Sequence, residues 1–168
     1  MKNMKFGFIG ALAIAATMFF AGCADECKDI VCANGECVDG ACVCDAGYEG
    51  TLCDAALNAK FTGSYSNTET CNPSGPAGPY TITLNPKSGS ATEVNFVGLW
   101  EVPSNIVMGT VGTDGISFTI ERQVITTGFD VSATGTSNAD GSTINITYSV
   151  FETGVTTAAD VCTAVLTK

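Results

Sequence analysis

From residue 61 onward, apolar and polar side chains alternate in short runs separated by Gly, Pro, Asn and Asp. Tyr80, Ile82 and Leu84 alternate with Thr81 and Thr83, and Ile116, Phe118 and Ile120 with Ser117 and Thr119. Ile144, Ile146, Tyr148 and Val150 alternate with Asn145, Thr147 and Ser149. A period of two is the mark of a strand with one face buried. Asp114-Gly115 and Asp140-Gly141 fall between such runs, where Asp-Gly marks a tight hairpin. The pattern predicts eight strands, at 61–71, 79–86, 92–100, 105–112, 115–121, 128–137, 142–151 and 160–168, joined as an antiparallel meander. The chain before them follows no such alternation. It holds an uncharged apolar run from Phe6 to Phe20 and then six closely spaced cysteines between positions 27 and 53.

The apolar run is preceded by Lys2 and Lys5 and followed by Ala21, Gly22 and Cys23, which is the order of parts of a signal peptide at 1–22. It is shorter than the roughly 20 apolar residues a spanning helix requires. "FAGC" resembles the bacterial lipobox. That resemblance implies cleavage before Cys23, a diacylglycerol thioether on its sulfur and an acyl group on its nitrogen, so that the chain joins a membrane through lipid. Nine cysteines is an odd number, and lipidation of Cys23 leaves eight to pair. The acidic tether at 23–26, "CADE", resembles the signal that sends lipoproteins of some Gram-negative bacteria to the outer face of the outer membrane, although Asp25 and Glu26 also suit any solvated acidic segment.

The cysteines at 27, 32, 37, 42, 44 and 53 lie in a segment too short to bury a core, so disulfides have to hold it. Spacing alone leaves about fifteen pairings open. "CVCDAGYEGTLC" resembles the C-terminal half of an EGF-like domain, with Gly47, the aromatic Tyr48 and Gly50 at the family's positions. The resemblance, covering 27–54, implies the pairs Cys27–Cys37, Cys32–Cys42 and Cys44–Cys53. It implies no calcium, because the leading acidic position is taken by Cys23 and the "VDGA" loop has no aromatic. With only residues 24–26 between the lipid and Cys27, a reach of about 10 Å, the module is expected to stand at the membrane surface as a stalk. A linker at 55–59 follows.

The all-β domain is then 60–168. In an even-numbered meander the end of the first strand faces the start of the last, and Cys71 and Cys162 occupy those places. They are also the two cysteines left over, so a Cys71–Cys162 bridge is expected to staple the sheet into a barrel, with a β-sandwich carrying the same staple as the rival. The opening "FTGSYSNTETC", the Thr-rich meander and the closing "CTAVLTK" resemble the lipocalin-like, or calycin-like, domains of small bacterial lipoproteins. That likeness is one of layout. It implies binding of small apolar ligands in some members and carries no site residue over.

Charge and composition narrow the function. Loss of residues 1–22 removes two of the seven basic residues and none of the 17 acidic ones, leaving a net charge of −12. Such a surface repels nucleic acid. There is no histidine, the commonest general base and metal ligand. Glu93, Glu101, Glu121 and Glu152 are scattered and define no acid and base pair. No enzyme activity, metal or cofactor is expected beyond the lipid on Cys23. Trp100, at the end of "EVNFVGLW" with Phe96 on the same strand face, is either core or a contact for a ligand or partner, while Val97 and Leu99 fall on the opposite face. "TCNPSGPAGPY" reads as a long Gly/Pro connector at one rim. The Asn145-Ile146-Thr147 sequon lies within a strand and is discounted. The expected function is non-catalytic: a cell-envelope lipoprotein whose β domain binds or adheres to a protein or glycan. The alternatives are a carrier for a small apolar ligand, which needs an open dry interior, and a lipoprotein enzyme inhibitor.

Overall fold

The structure is a computed structural model and describes residues 26–168. The cysteine-rich module carries a hairpin of β1 (Gly35–Val38) and β2 (Ala41–Cys44) and a second small sheet of β3 (Tyr48–Glu49) and β4 (Ala55–Ala56). Asp39 and Gly40 turn the hairpin, both at positive φ, as a two-residue connection demands. Cys27 is bonded to Cys37, Cys32 to Cys42 and Cys44 to Cys53.

The rest of the chain is an eight-stranded antiparallel barrel: β5 (Gly63–Asn72), β6 (Gly75–Pro86), β7 (Glu93–Val97), β8 (Ile106–Val111), β9 (Ser117–Thr126), β10 (Phe129–Ser137), β11 (Thr143–Glu152) and β12 (Asp160–Thr167). Each strand pairs with its sequence neighbours, and β12 pairs with β5, so the meander closes as a barrel and not as two packed sheets. Cys71 and Cys162 are joined across that seam.

Two sequence expectations change. The Gly/Pro stretch is not a long connector: the turn is confined to Pro73 and Ser74, and β6 begins at Gly75. The strand survives because β5 has a register shift between Asn67 and Glu69, and Gly78 sits opposite it at φ 101°, where an added Cβ would lie 2.5 Å from the Asn67 carbonyl oxygen. The third strand also stops short, at Val97 instead of 100. Gly98 enters the left-handed region, and the chain folds into a 3₁₀ turn at Leu99–Glu101. Leu99 is therefore turned into the core and not onto an opposite face.

The interior is filled. The Phe96 and Phe118 rings stand 5.0 Å apart, and Phe61 meets Phe118 edge-on at 6.0 Å. Gly109 and Gly135 make the room: an added Cβ would lie 2.9 Å from the Phe96 ring at the first and 2.3 Å from the Phe118 ring at the second. Burying these aromatic and aliphatic faces is the main stabilising term, at roughly 25 cal/mol per Å² of apolar surface removed from water.

One end of the barrel is plugged. The turns at 87–92, 112–116 and 138–142 lie at this base, where the segment read as a linker enters the core. Leu57 and Phe61 are buried within the barrel cluster. Asn58 is buried and donates from Nδ2 to the carbonyl oxygens of Ser90 and Glu93, both at 2.8 Å. Leu57 N donates to Gly47 O at 2.9 Å, and Lys60 pairs with Glu49 at 3.2 Å, so the cysteine-rich module is tied to the base.

The outward positions of the strands are mostly polar, with Ile106, Met108, Val124, Val161 and Val165 exposed among them, and their register aligns one row: Thr70, Thr163, Thr147, Thr134, Thr119 and Thr110, all exposed, are consecutive cross-strand partners from β5 around to β8. β-branched side chains suit a pleated surface, and the row places an uncharged hydroxyl and methyl belt on an acidic protein.

Candidate functional site

The opposite end of the barrel, bounded by the turns at 72–75, 98–105, 127–128 and 153–159, is a mouth free of the module. Alternation along β5 sends Tyr65, Asn67, Glu69 and Cys71 inward, so a charged side chain is carried into the interior near this mouth. Glu69 is 5% exposed. Its Oε2 accepts from Tyr80 Oη at 2.7 Å, Tyr148 Oη at 2.7 Å and Asn67 Nδ2 at 3.0 Å. Burial first, and then the hydrogen bond to Glu69, pushes the hydroxyl pKa of both tyrosines far above the ordinary value. Both therefore stay neutral and donate.

The other oxygen of Glu69 is different. Its near neighbour is Cys71 Sγ at 4.0 Å, and a disulfide sulfur has no hydrogen to give. No donor among the described residues reaches Oε1. At the start of β12, Asp160 is 3% exposed; its Oδ1 accepts from Ser74 N at 3.3 Å, while its Oδ2 has no partner. Asn67 Oδ1 is likewise buried without a donor. The ion pairs among the described residues are Lys60–Glu49, Lys87–Glu93 and Arg122–Asp130, none of which involves Glu69 or Asp160.

A cavity of about 330 Å³ opens here, lined by Glu69, Cys71, Pro76, Trp100, Glu101 and Val102 among others. Trp100 and Glu101 both have φ 55°, a left-handed conformation that non-glycine residues adopt at a cost. Held this way, the indole packs against Phe129 with ring centroids 5.3 Å apart and faces the cavity. Asp160 also lies within 4.8 Å of the sulfurs of Cys71 and Cys162. Those sulfurs are bonded to each other, so the trio offers a metal no thiolate.

The candidates from the sequence are thus separated. Phe96 is wholly buried against Phe118, while Trp100 has left the strand and stands at the mouth. Glu101 lines the cavity, Glu93 is paired with Lys87, and Glu121 and Glu152 are exposed on the outside. Cys23, the signal peptide and Asp25 lie outside the described residues. Glu69 and Asp160 were missed, and the signal that finds them is parity: both fall in step with buried apolar neighbours of their own strands. No family model matches the chain, and no curated protein is similar to it. The geometry therefore stands alone.

Proposed function

We propose that the protein is a lipid-anchored, non-catalytic binding protein of the bacterial cell envelope, with an EGF-like base and a lipocalin-like barrel that holds its ligand at the mouth. One observation carries the reading: the only end of the barrel left uncovered by the EGF-like module among the described residues has a cavity floored by a buried carboxylate with an unused acceptor. A lipid on Cys23 puts the module against the membrane and the mouth away from it. Binding at the rim is favoured over transport in a deep calyx, because Tyr65, Phe96, Phe118 and Tyr148 occupy the interior.

Metabolic labelling with an alkynyl palmitate analogue tests the anchor. The wild-type chain is expected to take up label and sediment with membranes, and Cys23→Ala to be unlabelled and soluble. Membrane retention of unlabelled Cys23→Ala would overturn it.

A further inference from the structure

We propose that the mouth cavity selects a small organic cation, a protonated amine carried on an apolar body. This rests on reading the mouth as the binding site and names the chemistry that site prefers. The cavity is one-sided in its charge: Glu69 and Glu101 line it and no basic side chain does. Glu69, which lines it, is 5% exposed and its Oε1 has no donor; Asp160 stands behind the wall, its Oδ1 held by Ser74 N and its Oδ2 without a donor. The hydroxyl hydrogens of Tyr80 and Tyr148 are already committed to Glu69 Oε2. Buried acceptors of this kind are costly until something donates to them. What is missing is a donor with positive charge.

Other ligand classes fit worse. An anion meets Glu69 and Glu101 with no basic side chain among the lining residues. A neutral sugar needs donors as well as acceptors, and the nearby tyrosines have none to spare. Calcium takes six to eight oxygens, whereas Glu69 Oε2 is already engaged by three donors. An ammonium group brings three donors on a single atom. Trp100, on the wall of the same cavity, offers an aromatic face of the sort that attracts cations, and Pro76 and Val102 supply apolar surface for the carbon body. The volume, near the lower end of the range for small-molecule sites, limits that body to a ring or a short chain.

Trp100 is the only tryptophan of the chain, so its emission reports on this site alone. The full chain, produced in an oxidising envelope and purified in detergent, is titrated with benzylammonium chloride, with benzyl alcohol as its uncharged counterpart, and with calcium chloride. A saturable change with benzylammonium is expected, at a concentration at least tenfold below that for benzyl alcohol. Glu69→Gln should raise it about tenfold or more, and Glu121→Gln, on the outer face, should leave it unchanged. Near-ultraviolet circular dichroism verifies that each variant is folded. If Glu69→Gln does not fold, the alcohol comparison on the wild-type protein still decides the matter. Equal half-saturation by the two organic probes overturns the charge selection and leaves the mouth as a binding site. Saturation by calcium with no response to benzylammonium overturns it in favour of a metal, and silence of Trp100 toward all three overturns both the selection and the mouth.

Discussion

Cys71 and Cys162 are direct cross-strand partners on β5 and β12, the two strands whose pairing closes the barrel, with their Cα atoms 4.0 Å apart. The bond spans 91 residues of sequence, so reducing it frees a long loop in the unfolded chain. The chain-entropy model gives about 4 to 5 kcal/mol for such a loop. The Cys71→Ala/Cys162→Ala variant should unfold at markedly lower guanidinium concentration than the wild type. A midpoint shift worth less than about 1 kcal/mol would place the stabilisation elsewhere in the seam.

The tyrosines on Glu69 give a pH signature. The folded state raises the pKa of Tyr80 and Tyr148 above the ordinary value of 10.0, mainly by burial and then through the hydrogen bond to Glu69. A raised folded pKa contributes stability in full below the unfolded value, and that contribution is lost as pH climbs past it. Absorbance at the tyrosinate wavelength should therefore show at least two of the four tyrosines failing to ionise at pH 11, then ionising together as the protein unfolds. Smooth titration of all four in the folded state would contradict the buried cluster. Stability should decline above pH 10.

How much of this was readable beforehand depended on which physical signal each element leaves. The barrel strands were legible because burying one face imposes a period of two, and Asp114-Gly115 and Asp140-Gly141 marked turns through backbone chemistry alone. The end of β7 was not. Val97 and Leu99 are apolar whether the chain stays in the sheet or bends, and only the left-handed residues Gly98, Trp100 and Glu101 carry Leu99 inward and Trp100 to the mouth. Pro76 and Pro79 spoke for a loop, yet the register shift in β5 let β6 run through them. Glu69 was hidden by its type, since a carboxylate is read as solvated until three donors are found around it.

The base plug should behave as core and not as tether. Leu57 is 4% exposed and packs within the barrel cluster. Truncation to Ala there is expected to cost about 2 to 5 kcal/mol. Leu57→Ala should also expose Lys60 to trypsin, so that limited proteolysis separates the module from the barrel before the barrel itself is cut. An unchanged digestion pattern would mean that the ties at Asn58 and Lys60 suffice.

Gly135 tests the filled interior. A methyl group added there would lie 2.3 Å from the Phe118 ring and 2.6 Å from the Asn145 carbonyl oxygen, so both a side chain and a neighbouring strand would have to move. Overpacking of this kind costs about 1 to 3 kcal/mol or more. Gly135→Ala should lower the denaturation midpoint, whereas Gly154→Ala, whose added methyl meets nothing within 4 Å, serves as a comparison limited to its backbone strain at φ 84°. Equal midpoints for Gly135→Ala and wild type would indicate a looser interior.

The placement of the plug at one end and the mouth at the other also has a mechanical meaning. A pull between the N-terminal module and something gripped at the mouth runs from base to rim, broadly along the strands. Force in that direction loads the ladders between strands in shear, many hydrogen bonds at once, instead of peeling them apart singly. The bond between Cys71 and Cys162 sits at the rim end of the first strand, where it fastens β5 to β12 against sliding.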